Sequence, residues 1–135
     1  MDARRDHGAA AVEMALLLPL LLLLIFGIID FGRMLNAQIA VTEAAREGAR
    51  AAVIENSRAA AQARVDKVIT GAKVNVLPDD TPCDGVALSA DATVEVSTTF
   101  KFVTPVGAIA GMFASPAGFG GEVTLTGTGV MPCRS

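Results

Sequence analysis

The run from Met14 to Ile29, MALLLPLLLLLIFGII, carries sixteen residues without a charge and limits what the chain can become. Extended back to Ala9 it counts twenty-one residues interrupted only by Glu13. At 1.5 Å per residue the longer stretch spans about 31 Å, the thickness of a hydrocarbon core, so a membrane helix is expected. Arg4 and Arg5 precede it, and the positive-inside rule then puts the N-terminus in the cytoplasm and the residues after about Arg33 outside. An ordinary secretory signal would need small residues at −3 and −1 of a cut. Cutting after Ala37 leaves Leu35 at −3, and cutting after Ala40 leaves Gln38, so a signal anchor fits better. Pro19 removes one backbone donor inside the span, a defect that membrane helices accommodate. Glu13 is the residue that a plain anchor leaves unexplained, because a carboxylate in a hydrocarbon span is costly unless it reaches water or a partner.

The remaining composition removes several function classes. At 135 residues there is room for one domain and an appended segment. A net charge of −3 supplies no basic field for nucleic acid. Six Phe with no Trp or Tyr offer few stacking platforms for bases or sugars. His7 is the single histidine and Cys83 and Cys133 are the two cysteines, which excludes a His-rich or four-Cys zinc site within one chain. Catalysis has few candidates, since no Ser or Cys lies in a recognisable nucleophile elbow, and neither an enzyme nor a cofactor is expected.

The string Arg4-Arg5-Asp6-His7-Gly8-Ala9-Ala10-Ala11-Val12-Glu13-Met14 before the apolar run resembles the class III signal of type IV pilins and pseudopilins. More narrowly, GAAAVEMALLLPLLLLLIFGIIDFGRML and TEAAREGARAA are similar to TadE-like minor pilins of the tight-adherence (Flp) pilus system. The likeness is detailed over residues 4–53 and looser at EVTLTGTGVM near the end. Met14 departs from it, since many members carry an aromatic residue there. The resemblance implies that a prepilin peptidase cuts after Gly8, leaving Ala9 as the new terminus and Glu13 as the fifth mature residue. It also implies that Glu13 pairs with such a terminus on a neighbouring pilin, two opposite charges leaving water together and offsetting part of each other's desolvation. The implied partners are the peptidase, other pilins and the inner-membrane assembly platform. The implied role is that of a minor component supporting pilus formation and surface adherence, since major Flp pilins are much shorter. An uncleaved, signal-anchored domain that binds an extracellular ligand is the rival.

Beyond the span, Asp30 and Arg33 are spaced to pair on a continuing helix, either as an interfacial anchor or in assembly. Ala40, Ala44, Gly48 and Ala52 recur every four residues and would let another backbone come close, in the chain's own sheet or in another subunit. Glu43, Arg46, Glu47 and Arg50 form a charged face at i, i+3 and i, i+4 spacings. A second helix is expected from Ser57 to Thr70, capped by Asn56 or Ser57 and stopped by Gly71. Alternation then predicts strands. Val74 and Val76 share one side, as do Val94, Val96, Thr98, Phe100 and Phe102 within Thr93 to Val103, and the last strand, Glu122 to Val130, buries Val123 and Leu125. Gly127 and Gly129 would weaken its end.

Outside the cytoplasm Cys83 and Cys133 are expected as a disulfide, closing a loop of about fifty residues for up to about 4 kcal/mol in the chain-entropy model. A reactive thiol is disfavoured by the neighbouring Asp79, Asp80 and Asp84. Those three carboxylates lack the regular spacing of a calcium loop, so solvated side chains are the simpler account. The Gly-rich stretch 105–121 does not follow a strand and open a helix as a phosphate cradle does. Its Ile109, Met112, Phe113 and Phe119 would cover the core or meet another pilin. The expected whole is a leader at 1–8, a membrane helix at 9–33 and an extracytoplasmic α+β domain at 34–135, in which a long helix and a second helix pack on three or four antiparallel strands.

Overall fold

The computed structural model describes residues 3–78, 81–85, 90–104 and 122–133. A long helix α1 (Ala3–Glu55) and a short helix α2 (Arg58–Val68) precede three strands, β1 (Lys73–Leu77), β2 (Asp91–Lys101) and β3 (Glu122–Pro132). This is the α+β class expected. The chain forms two compact units, Met1–Arg33 with Phe102–Gly121, and Met34–Lys101 with Glu122–Ser135.

In the second unit, local chemistry sets the turns. Asn56 leaves α1 with φ 45°, a left-handed conformation that asparagine tolerates after a helix. The Ser57 hydroxyl then accepts from the Ala59 amide at 3.2 Å and caps α2. Helix α2 ends at Val68, two residues short of the expected Thr70, and Gly71 takes φ 77° on the way into β1. Arg58 and Gln62 tie α2 to the sheet by donating to the carbonyls of Val74 (3.0 Å) and Ala72 (3.2 Å).

The sheet has the order β1-β2-β3 and is antiparallel throughout. β1 pairs with β2 from Lys73 opposite Ser97 to Leu77 opposite Thr93, and β2 pairs with β3 from Asp91 opposite Pro132 to Lys101 opposite Glu122. Two expected boundaries move. β2 begins at Asp91 and stops at Lys101, so Phe102 and Val103 lie beyond it, because the Val103 amide bonds to a side chain rather than to a strand. β3 runs on to Pro132, and the Cys133 amide continues the pairing direction by donating to the Ala90 carbonyl at 2.9 Å. Val123 is only half-buried, whereas Leu125 is buried.

The glycines of β3 have a different role from the one their local pattern predicts. A Cβ on Gly129 would fall 2.2 Å from the Ala45 carbonyl oxygen, and one on Gly127 would fall 2.8 Å from that of Val41. They therefore admit the backbone of α1 against the strand instead of fraying it. Gln38 reinforces this contact by donating to the Thr126 carbonyl at 2.8 Å. From the helix side, Gly48 faces Val65 of α2 at 3.0 Å and Val94 of β2 at 3.3 Å from its own would-be Cβ. Ala44, Gly48 and Ala52 are buried, and Ala40 is half-covered.

The resulting core is thin. Eight of the seventeen buried apolar residues among those described are alanines, and the larger ones are mainly Val41, Val65, Val74, Val76, Val94, Val96, Phe100 and Leu125. Cys83 and Cys133 lie at disulfide distance, with Cα atoms 5.5 Å apart. Asn56 joins them to the end of α1, accepting from the Cys83 amide at 2.9 Å and donating to the Asp84 carboxylate. At the far end of the ladder the Glu122 carboxylate, 2.6 Å from the Lys101 ammonium, raises that amine above its ordinary value. The lysine's part in this exposed pair is fully present below the unfolded amine's pKa and is lost as pH rises through the raised one, so titration around neutrality leaves it unchanged.

Two stability changes follow. Gly129→Ala is expected to lower the unfolding free energy by about 1–3 kcal/mol, and Gly127→Ala by less, in denaturant titrations of the detergent-solubilised protein. Cys133→Ser is expected to cost about 2–4 kcal/mol in the same assay, because fifty residues separate the paired cysteines.

Candidate functional site

Helix α1 contains the candidate functional residues of the chain's N-terminal part. Between Gly8 and Ile29 every residue is exposed except Phe26 and Gly27, which are half-covered. Leu16 is 74% exposed, Leu17 60% and Leu18 48%, and these successive positions, about 100° apart, lie on different sides of the helix. A helix apolar all round has no face that water can solvate favourably, so its stable surroundings are lipid or neighbouring helices. With a mean hydropathy of 2.7 in its most apolar window, the helix is long and apolar enough to cross a membrane. Pro19 lies within continuous helix.

Gly8, Ala9 and Glu13 all lie on this helix and are exposed. An added Cβ at Gly8 would meet nothing within 4 Å, so the outward side of the helix at this residue is open. Among the described residues nothing pairs with Glu13. Its carboxylate is one turn past Ala9 on the helix, at the edge of the apolar run, and in lipid it would favour an opposite charge brought to it.

The other end of the apolar run is polar and already satisfied. Asp30 is fully buried within the first unit. Its Oδ1 accepts from the Arg33 guanidinium at 3.2 Å and the Val103 amide at 3.4 Å, and its Oδ2 accepts from the Thr104 amide at 3.1 Å and from the Thr104 hydroxyl. The i, i+3 pairing with Arg33 was visible in the spacing. The three donors from Val103 and Thr104 were not, since they lie more than seventy residues away in sequence. A carboxylate with this many donors has its oxygens satisfied without bulk water.

Other expected sites have simpler surroundings. Glu43, Arg46, Glu47 and Arg50 are exposed. A shallow depression lined by Glu47, Arg50, Ala51, Ile54, Glu55 and Arg64 balances two carboxylates with two guanidiniums and offers no net charge to a ligand. Asp84 is engaged by Asn56, whereas Asp79, Asp80 and the stretch 105–121 lie outside the described residues. Among the described residues no group of three or more His, Cys, Asp or Glu side chains converges on a metal position. Asn56 is a structural residue that the sequence presented only as a possible cap.

Comparison with known proteins returns one family. Residues 8–50, from the glycine before the apolar run through the small-residue stripe, match the family model described as TadE-like protein. No curated protein matches the chain, and no solved structure does. That family implies a protein associated with the tight-adherence pilus. Over residues 8–50, therefore, the chain matches the TadE-like family, consistent with a membrane-anchored TadE-like protein of the tight-adherence system.

Proposed function

We propose that this chain is a minor pilin of the tight-adherence pilus, cleaved after Gly8 by a prepilin peptidase and incorporated through α1 into the pilus or its assembly complex. The observation that carries the proposal is the helix from Gly8 to Ile29, exposed and apolar on its sides with Glu13 as its single acid. Such a helix is stable in a bilayer and equally stable among other apolar helices, which is the requirement for a subunit that leaves lipid for a filament. The N-terminus lies in the cytoplasm and the second unit outside, following Arg4 and Arg5. Cleavage leaves the Ala9 amine at the membrane face, where Glu13 of one subunit pairs with the amine of a neighbour. Pilus formation and adherence to surfaces depend on this incorporation. The chain acts as a substrate of the peptidase and as a structural partner, with no catalytic role of its own.

Intact mass and N-terminal sequence, measured with and without the cognate peptidase, test the processing. A peptidase-dependent loss of the first eight residues with Ala9 as the new terminus is the expected outcome. An intact leader in the native host would instead favour an uncleaved, signal-anchored domain that binds an extracellular ligand. Glu13→Ala should abolish incorporation into pili at unchanged cellular protein level, as read by immunoblotting sheared pili against whole cells. Normal incorporation of this variant would remove Glu13 from assembly.

A further inference from the structure

The segment that leaves β2 does not simply turn away from the membrane helix. Val103 and Thr104 give both their amides to the Asp30 carboxylate, and Thr104 adds its hydroxyl. Asp30 is the first residue after the uncharged run that ends at Ile29. Residues 102–104 are thereby fixed at the level where the apolar helix meets its polar boundary. At this level Val103 is 74% exposed and Phe31, next to Asp30, is 53% exposed. The helix face that carries Asp30 is also partly covered one turn further into the run, at Phe26 and Gly27, spaced i−4 and i−3 from it. An exposed valine held at the level of an exposed apolar helix end is costly in water and favourable at a bilayer interface.

We propose that Phe102–Thr104 forms a second membrane contact of this protein, a short strap that rests Val103 on the lipid surface beside α1 and is latched there by Asp30. The occupant is the acyl-chain boundary of the bilayer, continuous with the lipid around α1. The proposal rests on α1 crossing a membrane. Its own content is the position of Val103 and its dependence on Asp30. Asp30 is a positioning residue: it places the strap by collecting three donors from it, while Arg33 supplies a fourth from the helix. The strap carries no net charge, and its first two residues, Phe102 and Val103, are apolar, so the interface can accept it once its last two amides are paired.

The absence of tryptophan from the chain gives a clean reporter. The full-length Val103→Trp protein is reconstituted in phosphatidylcholine vesicles, with or without bromine on the acyl chains, and its emission is compared with that of Leu22→Trp and Thr126→Trp. Leu22 lies inside the apolar run, and Thr126 lies on the exposed face of β3. The expected result is a blue-shifted emission at position 103 and loss of most of it in brominated vesicles, with position 126 unaffected. Adding Asp30→Ala, or the size-matched Asp30→Asn, should restore solvent-like emission at position 103 while position 22 stays quenched. Solvent-like, unquenched emission at 103 with position 22 quenched overturns the strap. Quenching at 103 that survives both Asp30 changes overturns the latch. Loss of quenching at position 22 in the otherwise unaltered chain overturns the membrane span on which both depend.

Discussion

The contact between the backbone of α1 and the glycines of β3 is the constraint on which the second unit depends. The carbonyls of Val41 and Ala45 occupy the space that side chains on Gly127 and Gly129 would fill. A helix brought this close favours small residues on the same face, and the alanines at 44, 45, 49 and 52 meet that requirement, with Val41 as the larger side chain among them. The close approach explains the shallow core: small residues bury little apolar area each, so stability rests more heavily on fit than on bulk. It also gives the cysteine pair its structural importance, since Cys133 directly follows the strand that the helix sits on, and Asn56 ties Cys83 to the helix end.

Asp30 marks a change of side-chain character along α1. Before it the side chains are apolar on every side, and after Arg33 the burial becomes one-sided, with Val41, Ala44, Ala45, Gly48 and Ala49 inside and Glu43, Arg46, Glu47 and Arg50 outside. A free aspartate at such a junction would hold water against the hydrocarbon. With its oxygens occupied by Arg33, Val103 and Thr104, it needs none. The proposed pilin role depends on a helix that can move between lipid and protein surroundings. A carboxylate solvated by its own chain suits that exchange, because its partners travel with it.

Much of this was legible from local pattern. The uncharged run, the cap at Ser57, and the alternation of Val74, Val76, Val94 and Val96 each follow from neighbours a few positions away. Two features were not. Gly127 and Gly129 look like strand breakers when only their own strand is considered, and their use becomes plain only when Val41 and Ala45 are placed over them. Asp30 reads as one half of an i, i+3 ion pair, because nothing near it in sequence announces amides at 103 and 104. The end of β2 was misplaced for the same reason: Val103 continues the apolar alternation, but its amide has a partner outside the sheet. Local periodicity encodes which face is apolar and leaves the identity of the opposing element unstated.

The seat of α1 is also a matter of timing. The helix residues that need covering are made early, and the glycine strand that covers them is the last of the three in chain order. Gln38 waits for a carbonyl 88 residues further along. Contacts of such sequence separation form late because the intervening loop must close first. During synthesis the backbone of α1 around Val41 and Ala45 therefore stands uncovered until β3 has emerged, so anything that occupies this part of the helix in the interval competes with the chain's own final strand.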